Sequence, residues 1–404
     1  MVPYNPFDPD VLADPYPHYA RLRAEDPVHW LESLSTYVVT RYDDVVALLR
    51  QPNLFSSAKG MGDLLSLVFG SGKGGGKARA TGASAVSRSL IASDPPVHTD
   101  LRRLVSRAFT PRAIAELESR IRQIAKELVG GLVERGEGDF VADLAYPLPV
   151  IVIAELLGIP TERRADFKRW SDAIVSAFTL SADAATTRTQ AIEMIDYFIE
   201  IVAQRRANPG KDMISILVTK GADGEDALTL DELVGFSTLL LVAGNETSTN
   251  LLGNSMRIFF ERPDVLARVR EDRSLLPQML EEVLRFDAPV QCLFRATTAP
   301  AELSGVELPA GVRVMPVIGS ANRDDRRFPD AHRFDLDRRS ADHVGFGQGV
   351  HLCLGAPLAR LEARIAMETL FNATGTIELA GDIVGTTSFL LRGCTSMPLK
   401  VDAA

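Results

Sequence analysis

A chain of 404 residues, 46% hydrophobic and 24% charged, can bury a substantial core, which excludes a wholly disordered or fibrous protein. Its 44 basic residues against 53 acidic ones leave a net charge of −9, a sign that opposes general nucleic-acid binding and adhesion to anionic membranes. The start Met1-Val-Pro-Tyr-Asn-Pro lacks a basic, apolar leader, and no run approaches the ~20 apolar residues that span a bilayer, so a cytoplasmic protein is expected.

The first fifty residues read as a sheet edge: strand-like Val28–Leu31 and Thr36–Thr40, then a short helix opened by Asp43-Asp44 and running to Arg50. From 70 to 88 Gly, Ser, Ala, Lys and Arg prevail, the composition of a loop without a core face. Gly70-Ser71-Gly72-Lys73-Gly74-Gly75 fits a dinucleotide fingerprint, but no apolar crossover helix follows it, so the segment is assigned as a loop bordering a substrate entrance.

After Asp94-Pro95-Pro96 the helical period dominates, with helices expected near 98–107, 112–136, 161–180, 185–207, 232–260, 264–272, 275–286 and 354–374. Short strands interrupt them at Ala301–Leu303, Val306–Leu308 and Val312–Val317. No repeat or composition break divides the chain. The expected fold is therefore mainly α with a small segregated β region, in a single domain over 1–404.

The helix over 232–260 opens on Thr229-Leu230-Asp231-Glu232, a capping box, and extends about 44 Å at 1.5 Å per residue. At its middle Ala243-Gly244 offers a side-chain-poor gap, followed by an acid and a hydroxyl, Glu246 and Thr247. Hydroxyl side chains compete for helix carbonyls, so a local bulge is expected there. Taken alone, the segment also suits a buried helix with a tolerated glycine.

Three scattered cysteines, Cys292, Cys353 and Cys394, form no disulfide framework, and there is no C-x-x-C, C-x-x-C-H or H-E-x-x-H pattern. Cys292 and Cys394 read as packing residues. Cys353 differs: in Phe346-Gly347-Gln348-Gly349-Val350-His351-Leu352-Cys353-Leu354-Gly355 three glycines flank it, and an amphipathic helix begins directly after it. Glycines let backbone approach a flat ligand, and a helix N-terminus favours a thiolate.

This decapeptide resembles the haem-binding signature F-x-x-G-x-H/R-x-C-x-G of the cytochrome P-450 family at every fixed position. The resemblance spans nearly the whole chain. Ala243-Gly244-Asn245-Glu246-Thr247-Ser248 is similar to the family's oxygen-activating motif, Glu282-Val283-Leu284-Arg285 to its E-x-x-R helix, and Phe328–Phe334 to its arginine-bearing meander.

What the resemblance implies is a haem-thiolate fold with haem b lying between the long central helix and the helix after the cysteine loop. Cys353 would be the axial ligand of the iron, with Phe346 and Gly355 around it. His98, Arg102, Arg295 and His351 would hold the propionates, and Ala243 and Gly244 would line the haem face. Glu246 and Thr247 would deliver protons during oxygen reduction. Glu282, Arg285 and Arg333 would form a buried structural network. Val97 departs from the pattern, since related bacterial sequences commonly carry glutamate there.

The implied activity is O₂-dependent monooxygenation of a hydrophobic small molecule by a monomeric enzyme. Without a flavin or iron–sulfur motif of its own, the chain would take electrons from a ferredoxin with its reductase, or from a flavodoxin. Docking is expected on the cysteine side, near Arg103, Arg107, Arg112, Arg360 and Arg364. A peroxide-driven peroxygenase is the alternative, but it would not need Glu246 and Thr247; a haem-based gas or redox sensor would need an output module. Candidate pocket positions are the 60–90 loop, 170–185, Leu239–Ala243, Pro289–Phe294 and Ser388–Leu391, with Leu240, Leu293, Phe389 and Leu390 supplying apolar surface.

Overall fold

The computed structural model describes residues 2–65, 89–176, 183–219 and 228–404. The glycine-rich stretch at 70–88, most of the 60–90 loop and residues 177–180 of the expected 161–180 helix lie outside the described residues. The principal helices are α1 (Tyr16–Glu25), α2 (Tyr42–Arg50), α3 (Val97–Val105), α4 (Glu118–Arg135), α5 (Pro147–Leu156), α6 (Arg164–Ser176), α7 (Ala184–Ala207), α8 (Leu230–Glu261), α9 (Pro263–Glu271), α10 (Leu276–Phe286) and α11 (Ala356–Ala373).

Local chemistry sets where these helices begin and end. At α8 the Thr229 side chain accepts from the Glu232 N–H at 3.3 Å while Glu232 accepts from the Thr229 N–H at 2.8 Å, the expected capping box. The expected 112–136 helix is two: Pro111–Glu116, capped by Thr110, and α4, which stops at Gly136 with φ +70°. The bulge expected in α8 does not form. Thr247 does bond back to the Ala243 carbonyl at 2.6 Å, but the helix absorbs this without a break.

Packing is centred on α8, which touches α5, α6, α7, α10 and α11. It is buried at Leu233, Val234, Leu241, Leu251, Leu252 and Phe259, a hydrophobic line that only a helix surrounded by other helices can satisfy. Helix α5 is a continuous apolar run with no polar face, hence no periodic signal in the sequence, and it is buried from Leu148 to Ala154.

The β region stands apart from this bundle. A five-stranded sheet joins Val28–Leu31, Thr36–Val39, Arg313–Pro316, Arg295–Thr297 and Phe55–Ser56 in that spatial order, with the second and third strands parallel and the other pairs antiparallel. Pairing of Arg295 with Val314 fixes where the Arg295 side chain leaves the sheet. Two strands, Thr374–Leu379 and Pro398–Ala403, pair antiparallel near the C-terminus.

Beneath the cysteine loop lies a fully buried ion pair. Glu282 and Arg285 on α10 are joined by two 2.7 Å bonds, and both side chains are 0% exposed. Arg285 also donates to the carbonyls of Asn322, Ala331 and Arg333, at 2.9, 2.9 and 3.0 Å. The expectation for Arg333 is corrected here: it contributes only that carbonyl, and its side chain is exposed. The meander arginine that reaches Glu282 is Arg338, at 3.3 Å, beside Ser340 at 2.5 Å.

Removing one partner of a buried pair strands the other charge, at a cost of roughly 3–5 kcal/mol. Arg285→Ala should therefore lower the chemical-denaturation midpoint sharply, Arg338→Ala should lower it less, and Arg333→Ala should leave it unchanged. An Arg333→Ala loss as large as that of Arg285→Ala would contradict this assignment.

Candidate active site

The Cys353 loop is bent by two positive-φ glycines, Gly347 at +74° and Gly349 at +70°. Gly349 is required twice over, because a Cβ there would also lie 2.6 Å from the Leu49 carbonyl of α2. The turn lets the Cys353 N–H donate to the Phe346 carbonyl at 2.9 Å and leaves the sulfur at the first turn of α11. There the thiol sits between opposing influences. The Cys353 side chain is exposed, yet the protein around it removes enough solvent that desolvation pushes the thiol up, while the backbone N–H groups of Gly355 and Ala356 and the charges of Arg102 and Arg360 pull it down without reversing the shift.

Beside the loop, four nitrogen-bearing side chains from distant segments converge. His98 on α3 and His351 pack ring on ring at 4.2 Å. Arg102, one turn along α3, donates to the Val350 carbonyl at 3.1 Å. Arg295, 3% exposed, donates to its neighbour's carbonyl at Phe294 and senses both histidines electrostatically.

The carboxylate that acts on this cluster is Asp94, which opposes the downward shifts of His98 and Arg295 without reversing them. Both ring nitrogens of His98 and Nε2 of His351 are buried without a hydrogen-bond partner, and among the described residues neither Arg102 nor Arg295 makes an ion pair with a carboxylate. Burial, then the neighbouring arginines, push His98 down to about 4; burial, Arg295, His98 and Arg102 push His351 down to about 2. Desolvated cations and orphaned polar groups of this kind suit an anionic ligand.

Across from α11, Ala243 is exposed and Thr247 is half-buried on α8. Gly244 is partly exposed beside Ala243. A Cβ there would lie 2.7 Å from Ile153 Cδ1, so besides its place next to Ala243 this glycine lets α5 approach α8. Glu246 points toward α6, where Ser171 Oγ lies 3.5 Å from it. Burial, reinforced by Asp172 and opposed by Lys168 and Ser171, pushes its carboxyl up to about 7.

Sequence reading missed these α6 partners. It also missed Glu362 of α11, 1% exposed, which bonds Ser248 and is pushed up to about 8 by burial. The signal was present: Glu362 falls on the apolar stripe of Leu358, Leu361 and Ile365.

The expected pocket segments partly meet. Met61, Cys292, Phe294 and Leu390 are buried together, with Leu293 and Phe389 packed against them. Phe294 and Phe389 are edge to face at 6.3 Å. Cys292 approaches the Phe389 carbonyl at 3.8 Å, and Cys394 packs against Gly253 of α8.

A helical bundle around one long helix, with a thiol at a helix start and a buried basic cluster beside it, is the frame in which the chain's family can be stated. Residues 77–373 match Cytochrome P450, and the chain belongs to that family. It is a monooxygenase by that membership, and the family's cofactor is haem.

The chain is 38% identical to cytochrome P450 monooxygenase PikC of Streptomyces venezuelae, over 97% of this chain and 92% of that one. Among solved structures it resembles cytochrome P450 CYP109Q5 from Chondromyces apiculatus, with TM-score 0.88, 40% identity, and coverage of 99% of this chain and 98% of that one. It also resembles CYP109E1 from Bacillus megaterium in complex with testosterone, with TM-score 0.86, 36% identity, and coverage of 97% and 98%. Among the described residues no helix is long and apolar enough to cross a membrane.

A cluster that is frustrated without its anion should reveal this by mutation. Arg295→Met should stabilise the haem-free protein to heat while speeding haem transfer to an apomyoglobin scavenger by roughly tenfold or more, because hydrogen bonds to charged groups are worth about 1.5–3 kcal/mol. Slower haem loss would refute the anion-binding role.

Proposed function

We propose that this chain, acting as one catalytic domain over 1–404, uses haem b to insert one atom of O₂ into an apolar small molecule. The other atom leaves as water, consuming two protons and two electrons. The observation that carries this reading is the convergence of His98, Arg102, Arg295 and His351 beside the Cys353 loop. Bound there, haem would supply the oxygen-activating redox chemistry, with its iron held by a thiolate.

Cys353 would be the axial ligand, shaped by the Phe346 carbonyl and the Gly355 N–H. His98, Arg102, Arg295 and His351 would hold the propionates. Ala243 presents its small side chain on the open side of α8. Thr247 keeps a hydroxyl there, anchored to the Ala243 carbonyl and able to pass a proton on rotation. Glu246 connects that hydroxyl's neighbourhood to Ser171 and to the charged pair Lys168 and Asp172 on α6. The presence of this acid and hydroxyl favours the O₂-driven reaction over a peroxide-driven one.

Met61, Leu293, Phe294, Phe389 and Leu390 favour a hydrophobic substrate of lipid, terpenoid or macrolide type. The testosterone complex of the Bacillus megaterium relative supports that size and polarity. Electrons would come in the cytoplasm from a ferredoxin with its reductase, or from a flavodoxin, docking on a monomer's cysteine side around exposed Leu352. Arg112, Arg360 and Arg364 are partly neutralised there by Glu116, Glu281, Glu118 and Glu368.

The decisive experiment is the carbon monoxide difference spectrum of reduced protein. A strongly red-shifted Soret band that disappears in Cys353→His supports the thiolate; its absence in wild type overturns the reading. Glu246→Gln and Thr247→Ala should each slow NADH-coupled turnover by roughly 10²-fold, the low end of general acid catalysis. A carboxyl raised to about 7 is protonated below that pH, so turnover limited by this donor should fall as pH rises through about 7, and Glu246→Gln should erase that limb. A pH profile identical in wild type and Glu246→Gln would exclude Glu246 as the donor.

A further inference from the structure

Three side chains with no part in haem binding or proton delivery form a linked unit under the Cys353 loop. Glu281 of α10 accepts from Arg360 twice, at 2.6 and 2.8 Å, and lies 3.0 Å from His343 Nε2. His343 Nδ1 accepts the Gly345 N–H at 3.0 Å, so the imidazole proton resides on Nε2 and is donated to Glu281. The orientation of His343 is therefore fixed from both sides. Burial alone would raise the Glu281 carboxyl, but the bonds from Arg360 and His343 outweigh it and hold it down at about 2.

The unit reaches the sulfur by two routes. Sterically, the Arg360 guanidinium lies 4.5 Å over the Phe346 ring, and the Phe346 carbonyl accepts the Cys353 N–H. Electrostatically, Arg102 and Arg360 are the cations that act on the Cys353 sulfur. Arg102 belongs to the anion-seeking cluster, whereas Arg360 is paired with Glu281. Nothing in the haem-binding or proton-delivery roles assigned above requires that pairing.

We propose that Glu281 is a positioning residue that, with His343, pins Arg360 over Phe346 and cancels its charge, thereby setting how strongly the Cys353 thiolate donates to the cofactor. The proposal rests on the reading that Cys353 ligates haem iron. A cation left uncompensated beside the thiolate withdraws electron density and favours the reduced iron. An anion left uncompensated there does the reverse.

Potentiometric titration of the haem-loaded protein tests this. Glu281→Gln should shift the midpoint potential upward, Arg360→Gln should shift it downward, and the double variant should return close to wild type. Glu281→Asp and Arg360→Lys, which keep the charges, should stay near the wild-type value. The iron–sulfur stretching frequency should move with the potential, in opposite directions for the two single variants.

A purely structural role would lower thermal stability in both variants and leave the potentials unchanged or shifted in the same direction; either result overturns the proposal. If Glu281→Gln fails to retain haem, Arg360→Gln alone decides, and a potential that does not fall is decisive against. A wild-type protein without a thiolate-type carbon monoxide spectrum would instead overturn the ligand assignment, a distinct failure read in a separate measurement.

Discussion

The Cys353 sulfur, exposed at the start of its helix, is caught between partial desolvation, which disfavours a thiolate, and the dipoles and charges that favour one. Desolvation is the larger influence on the free thiol, and the Gly355 and Ala356 N–H groups, Arg102 and Arg360 oppose it. The surrounding architecture can be read as the means of keeping those opposing groups in place. Two left-handed glycines turn the loop, α11 begins where its N–H groups face the sulfur, and α3 brings Arg102 against the loop through the Val350 carbonyl. A shift of any one of these elements would leave the sulfur with desolvation and little to offset it.

Such a loop needs a floor that does not yield, and α10 provides it. Glu282 and Arg285 are wholly buried, which is costly by itself, since desolvating two ions can exceed their mutual attraction. Here the remaining valences are taken up by Asp335, Arg338 and Ser340 on the carboxylate and by three carbonyls on the guanidinium. The result ties a helix to an irregular segment that has no regular secondary structure to hold it. Specificity of position, more than net stability, is the physical reason to retain such a pair.

Much of this could be read in the sequence, for reasons that differ by element. The capping box of α8 and the glycine-flanked cysteine are local chemistry, and the local pattern fixed them. Helix α5 escaped because an all-apolar run has no face and so no period. The close approach of Ile153 to Gly244 was not legible, because Ile153 is ninety-one positions away in a helix the pattern had not disclosed. Arg333 and Arg338 lie in one irregular segment where no periodicity states which side chain turns inward. The basic cluster drew its members from 98 to 351, and only the family resemblance connected them.

The two raised carboxyls around α8 show how position divides one chemistry into two roles. Glu246 and Glu362 are both pushed up by burial, to about 7 and about 8. Glu246 is half-buried and faces Ser171, Asp172 and Lys168, through which protons can be exchanged with the surface. Glu362 is 1% exposed, bonds Ser248, and has one carboxyl oxygen without a partner. Ionising Glu362 would strand a charge between α8 and α11 with no cation beside it among the described residues, so at neutral pH it serves as a neutral hydrogen-bonding contact. In the proposed reaction a group that returns protons must lose and regain them readily, and of the two it is Glu246, with its intermediate acidity and its polar neighbours on α6, that suits that role.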